Sequence, residues 1–120
     1  MSRNLVVQTR RPADLAAFVA GLETPGHSVA LVSGLEDCKA LLRTQPPDLM
    51  ILDLGPEADA RRAVMDLLLV NAAVPTAVLS PMPEEDFHEA TEGLGILTAL
   101  PLQPDAADAA RLLRLLDKLA

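Results

Sequence analysis

The residues best placed to do chemistry are Asp53 and the polar groups that would share its end of a sheet. Pro46-Pro47 stops any preceding helix, Leu49-Met50-Ile51-Leu52 runs unbroken into Asp53, and Gly55-Pro56 turns the chain away. A short continuous apolar run between breakers predicts a strand buried on both faces, as in a parallel sheet covered by helices. Ligands of such open sheets gather at the carboxyl ends of the strands, which is where Asp53 falls. A carboxylate there can pair with a guanidinium or lend an oxygen to a hard cation. Gln8-Thr9-Arg10-Arg11 follows one other predicted strand and Ser80 ends another, so both reach the same edge.

Other constellations are thin. His27 and His88 lie far apart, with no Cys or carboxylate at ligand spacing, so solvated histidines are the reading for both. Ser80 has no His-Asp partners in view, and no glycine-rich loop follows the first strand, which excludes a serine nucleophile and a dinucleotide cradle. No enzymatic activity is expected. Glu84, Glu85, Asp86, Glu89 and Glu92 make one helix strongly acidic, either a solvated face or a docking patch for a basic partner.

The elements that must position Asp53 alternate along the chain. Asn4–Val7, Ser28–Val32, Leu49–Leu52, Pro75–Ser80 and Ile96–Ala99 are predicted strands. Between them, helices begin at Pro12, at Ser33-Gly34, near Ala58 and near Glu84, and the last begins at Pro104-Asp105. The third helix is expected to run to about Ala72, and the fourth to Gly93 or Gly95. Five strands alternating with helices across short connections imply βαβ crossovers and a parallel sheet with helices on both faces. The 120 residues are expected to form one domain over 1–120, with an aliphatic core because the chain has two Phe and neither Trp nor Tyr. A net charge of −7 argues against nucleic acid and anionic membranes as partners. One cysteine, Cys38, and no signal-peptide pattern at the N-terminus predict a cytoplasmic protein.

Asn4 to Val7, Pro47-Asp48 through Asp53, Val74-Pro75 through Ser80, and Leu100-Pro101-Leu102 with Pro104-Asp105 resemble the response-regulator receiver domain of two-component and phosphorelay signalling. The resemblance spans essentially the whole chain. It implies a flavodoxin-like, doubly wound (βα)5 fold with strand order 2-1-3-4-5. It also implies that Asp53 stands at the phosphoacceptor position and Ser80 at that of the hydroxyl that bonds the phosphoryl oxygens. Several positions depart from the family. Gln8-Thr9 replaces the acidic pair that holds Mg²⁺, Leu100 replaces the lysine before the proline, and Leu97 replaces the aromatic switch residue. The Met-Pro that usually follows the phosphoacceptor is missing, and Gly55-Pro56 shortens that loop.

Phosphoryl transfer depends on positioning and on neutralising negative charge, most of it by metal. With the acids and the lysine gone, the resemblance points to a degenerate receiver, a pseudo-receiver that uses no cofactor and signals by protein–protein contact. The alternative is a working receiver, phosphorylated on Asp53 by a histidine kinase with Mg²⁺. Three readings of Asp53 follow: an inherited residue without a role, a carboxylate held by Arg10 or Arg11 in place of metal and lysine, or a weak phosphoacceptor.

If the chemistry is lost, function lies in surfaces. Leu112, Leu113, Leu115, Leu116, Leu119 and Ala109 of the last helix span about 160°, wider than the ~100° stripe of a helix packed on one core. With Leu97, Leu102, Arg111 and Lys118 they predict a homodimer through the fourth helix, fifth strand and fifth helix. The third helix, with Met65 and Leu69, is the competing surface.

Overall fold

The computed structural model describes residues 2–55 and 58–119. Pro56, the second half of the expected loop-shortening pair, lies outside the described residues, as does the terminal Ala120. Five strands alternate with five helices: β1 (Asn4–Gln8), α1 (Ala16–Glu23), β2 (Ser28–Val32), α2 (Leu35–Thr44), β3 (Leu49–Leu52), α3 (Ala60–Val70), β4 (Thr76–Leu79), α4 (Glu84–Ala90), β5 (Thr98–Leu100) and α5 (Ala106–Asp117). All strand pairs are parallel, in the order β2-β1-β3-β4-β5. This is the doubly wound arrangement implied by the sequence.

The boundaries shift for local reasons. Pro12 opens a 3-10 turn, Pro12–Leu15, before α1 becomes regular. The third helix starts at Ala60 rather than Ala58 because Asp59 caps it, its carboxylate accepting the Arg62 N–H at 3.1 Å. The fourth helix stops at Ala90, several residues short of the glycines expected to end it. The fifth strand lies at Thr98–Leu100, two residues later than its apolar run begins. Asp105 and Asp108 form a reciprocal capping box at the start of α5, each carboxylate accepting the other's N–H at 3.0 Å.

Strand alternation sorts the core into two layers. Leu5, Val7, Leu49, Ile51, Ala77, Leu79 and Leu100 face α1 and α5. Val6, Met50, Leu52 and Val78 face α2, α3 and Phe87 of α4. β3 is buried along its whole length, which is why its sequence is continuously apolar rather than alternating. α1 and α5 approach closely at Gly21, where an added Cβ would lie 2.9 Å from Ala109 Cβ and 3.1 Å from the Ala106 backbone. Gly21→Val should therefore overpack the helix pair and cost about 1–3 kcal/mol. A fall in the urea midpoint with an unchanged slope is the expected reading.

Candidate functional site

The site begins with register. Leu5 pairs with Leu49 and Gln8 with Leu52, so one residue further Thr9 comes level with Asp53. The ladder continues there, with the Asp53 N–H on the Gln8 carbonyl at 2.9 Å and the Thr9 N–H on the Val32 carbonyl at 2.8 Å. By alternation Thr9 and Asp53 point to the α1–α5 side of the sheet and Gln8 to the other.

The Asp53 side chain is only 4 % exposed, yet both of its oxygens are engaged. Oδ2 accepts the Thr9 hydroxyl at 2.7 Å and the Arg11 Nε–H at 2.8 Å. Oδ1 accepts the Arg11 Nη2–H at 3.3 Å. The guanidinium thus grips the carboxylate in the two-pronged geometry that only arginine offers. Its Nη2 also donates to the Leu102 carbonyl, tying the β5–α5 loop to the same point. Thr9 is fixed from the other side, its hydroxyl accepting the Arg11 N–H at 3.0 Å. That leaves the hydroxyl proton free to point only at Asp53.

Gln8 is committed elsewhere. Its Oε1 accepts the Asp53 N–H at 3.1 Å and its Nε2 donates to the Ser33 carbonyl at 3.0 Å. A carboxylate at this position could accept the first bond but could not donate the second. The amide therefore stitches the β2–α2 loop to the end of β3.

The remaining candidates do not join this cluster. Arg10 is exposed and lines a shallow depression of about 340 Å³ with Asp59 and Asp66, away from Asp53. Ser80 Oγ accepts the Met82 N–H at 3.1 Å and makes no hydrogen bond to Asp53. Leu100 is 2 % exposed and packs into the α1–α5 core layer. Among the described residues, no three His, Cys, Asp or Glu side chains converge as a metal site.

The surface candidates separate as well. Leu97 packs partly buried against the core, and Leu115 is half-buried. Arg111 donates to Thr98 Oγ1 at 3.2 Å and to the Ala99 carbonyl at 3.3 Å, so it braces its own chain. Leu102 and Lys118 are exposed. Leu102 with Met82, Pro81, Pro101, Glu84 and Arg111 lines a groove of about 740 Å³. On α3, Met65 and Leu69 are exposed, Leu69 at 85 %. The carbonyls of Ser33 and Leu102, which complete the site, escaped the sequence reading because backbone acceptors carry no residue-type signal.

Solved structures similar to this one include response regulators and receiver domains. A LuxR-family two-component response regulator from an Aurantimonas species superimposes with a TM-score of 0.80 at 16 % identity, over 98 % of this chain and 87 % of that one. A putative response regulator from Chloroflexus aurantiacus gives 0.80 at 16 % identity, over 98 % and 99 %. A CheY-like receiver domain protein from Methanospirillum hungatei gives 0.79 at 12 % identity, over 98 % and 96 %. No family model matches the sequence, and no curated protein does. The chain therefore has the CheY-like, flavodoxin-like fold of response-regulator receiver domains, at identities that speak for the fold alone.

Removing Arg11 would leave Asp53 buried and without a countercharge. Arg11→Ala should cost on the order of 3 kcal/mol, and Arg11→Ala with Asp53→Ala clearly less than the two single losses added. Chemical denaturation of the four proteins in the cycle measures the coupling.

Proposed function

We propose that the protein is a cytoplasmic, non-catalytic signalling module of the receiver type, acting through protein contacts with its phosphoacceptor position permanently neutralised. The observation that carries this reading is the Arg11 guanidinium laid on Asp53. In a working receiver, metal and lysine would supply positive charge around an aspartyl phosphate; here one guanidinium supplies it before any phosphoryl group arrives. Arg11 also reaches the Leu102 carbonyl, so the pair holds the β5–α5 loop in one position.

The donor set fits Mg²⁺ poorly. That ion takes six oxygens in a strict octahedron and is usually held by one or two carboxylates. Asp53 is already paired with a cation, Gln8 has both amide ends occupied, and the Thr9 proton points at the carboxylate. Binding a metal would require dismantling all three. No phosphoryl-transfer step is assigned to this site.

The groove between the β4–α4 and β5–α5 loops is the surface that suits a partner protein. Met82 and Leu102 offer exposed apolar contacts, and Glu84 and Arg111 stand along its lining. The groove is concave, so it fits an inserted partner segment better than a second copy of itself. We infer a different protein, rather than a second copy, as the occupant of this groove, in place of the homodimer expected through the fourth helix, fifth strand and fifth helix.

Addition of Mg²⁺ and beryllofluoride to ¹⁵N-labelled protein discriminates this reading from the working receiver. The expected result is no amide shift at Asp53 or Ser80 and no mass gain on incubation with a small phosphodonor. Saturable shifts at both residues, with a mass gain of one phosphoryl group from the phosphodonor, would instead favour a working receiver phosphorylated on Asp53.

A further inference from the structure

The sheet has two free edges, and they are treated differently. β5 has three residues, and Arg111 occupies both the Thr98 hydroxyl and the Ala99 carbonyl. β2 has five residues, Ser-Val-Ala-Leu-Val, with no charge and no proline. Protein sheets normally guard such an edge with lysine, proline, a bulge or a covering loop. β2 carries none of these.

The hydrogen bonds fix which groups stay free. β1 takes the Ser28 N–H on the Arg3 carbonyl at 2.9 Å and gives the Thr9 N–H to the Val32 carbonyl at 2.8 Å. Alternate residues of a parallel strand face its neighbour, so Ser28, Ala30 and Val32 turn their backbone groups to β1. Those of Val29 and Leu31 turn outward, and no hydrogen bond among the described residues takes them. Leu31 is 49 % exposed, and α1, which packs on β2, has exposed Ala16, Ala17 and Ala20 and no charge before Glu23.

We infer that β2 is a self-association edge, on which a second copy pairs its own β2 antiparallel about a two-fold axis at Ala30. A second copy fits the pattern of free groups. Opposed residues in an antiparallel ladder exchange both backbone hydrogen bonds only at alternate positions. With Val29 and Leu31 as the outward residues, Val29 must face Leu31 of the second copy, and Leu31 its Val29. All outward groups of both residues are then satisfied by one symmetric, closed contact. Ala30 falls opposite Ala30 at the close, non-hydrogen-bonded position, where a small side chain fits. Val29 packs toward the α1–α5 layer, so Leu31, two residues on, lies on the same face and meets Val29 of the second copy as an apolar cross-strand pair. The strand is uncharged, so the net charge of −7 is not concentrated at the contact. This pairing uses neither Asp53 nor the β4–β5 groove, and its failure would leave the reading of Asp53 intact.

Sedimentation equilibrium of the whole chain should give twice the chain mass. Ala30→Lys, an exposed position where substitution leaves the core untouched, opposes two ammonium groups across the axis and should return the monomer mass. Ala30→Cys should cross-link under mild oxidation, because non-hydrogen-bonded antiparallel pairs bring Cα atoms to about 4.5 Å, within disulfide reach. Val29→Cys and Leu31→Cys should not, since each faces the other residue type. The native Cys38 does not interfere: burial, with Asp37 beside it, pushes its thiol up to about 11. A monomer at millimolar concentration, a dimer that Ala30→Lys leaves intact, or cross-linking equal at all three cysteine positions would each overturn the inference.

Discussion

The buried ion pair between Arg11 and Asp53 organises the carboxyl edge of this sheet. A lone carboxylate at 4 % exposure would be costly. Here it is compensated by a two-pronged guanidinium and a hydroxyl, and each of those is itself held in place. Thr9 accepts the Arg11 N–H while donating to Asp53, and Arg11 divides its donors between Asp53 and the Leu102 carbonyl. Gln8 completes the arrangement by bridging Ser33 and the Asp53 backbone. Four chain segments meet in one network with no net charge. Where the central strands β3 and β4 are buried along their whole length, their carboxyl edge is where polar groups can converge.

Such a network biases conformation. Receiver chemistry needs a carboxylate that can lose its partners, take a phosphoryl group and find new ones. A carboxylate already saturated in cis has little to gain from the exchange. On the proposed reading, the same contacts that stabilise the edge oppose switching, and function is carried by surfaces. The structure offers two of distinct character: a concave groove with mixed charge between β4–α4 and β5–α5, and an unguarded strand edge at β2.

Much of the fold was legible because the signals were local. Pro46-Pro47 and Gly55 bracket a four-residue apolar run that admits little other than a buried strand, and Asp105 with Asp108 announces a helix start. Boundaries erred where tertiary context decided. Ile96 and Leu97 look as strand-like as Thr98, but pairing with β4 brings Thr98–Leu100 into the ladder. The site was legible only in part. That Asp53 ends a strand could be read directly; that Thr9 stands level with it depends on inter-strand register, which a single sequence does not encode. Arg10 and Arg11 are equivalent in type and adjacent in sequence. Only the start of the 3-10 turn at Pro12, which sends one toward the edge and the other outward, distinguishes them. Of the wide apolar arc of α5, Leu112, Leu113 and Leu116 are absorbed by the core, Leu115 is half-buried and Leu119 is exposed, a division set by tertiary packing rather than by the helical pattern.

The arginine side-chain ¹H–¹⁵N spectrum tests the central claim most directly, since it sees the Nε–H that Arg11 gives to Asp53. A slowly exchanging Nε–H signal from Arg11, distinct from that of exposed Arg10 and unmoved by millimolar Mg²⁺, is the result this account requires. An Arg11 signal that exchanges as fast as that of Arg10, or that collapses when Mg²⁺ is added, would contradict it.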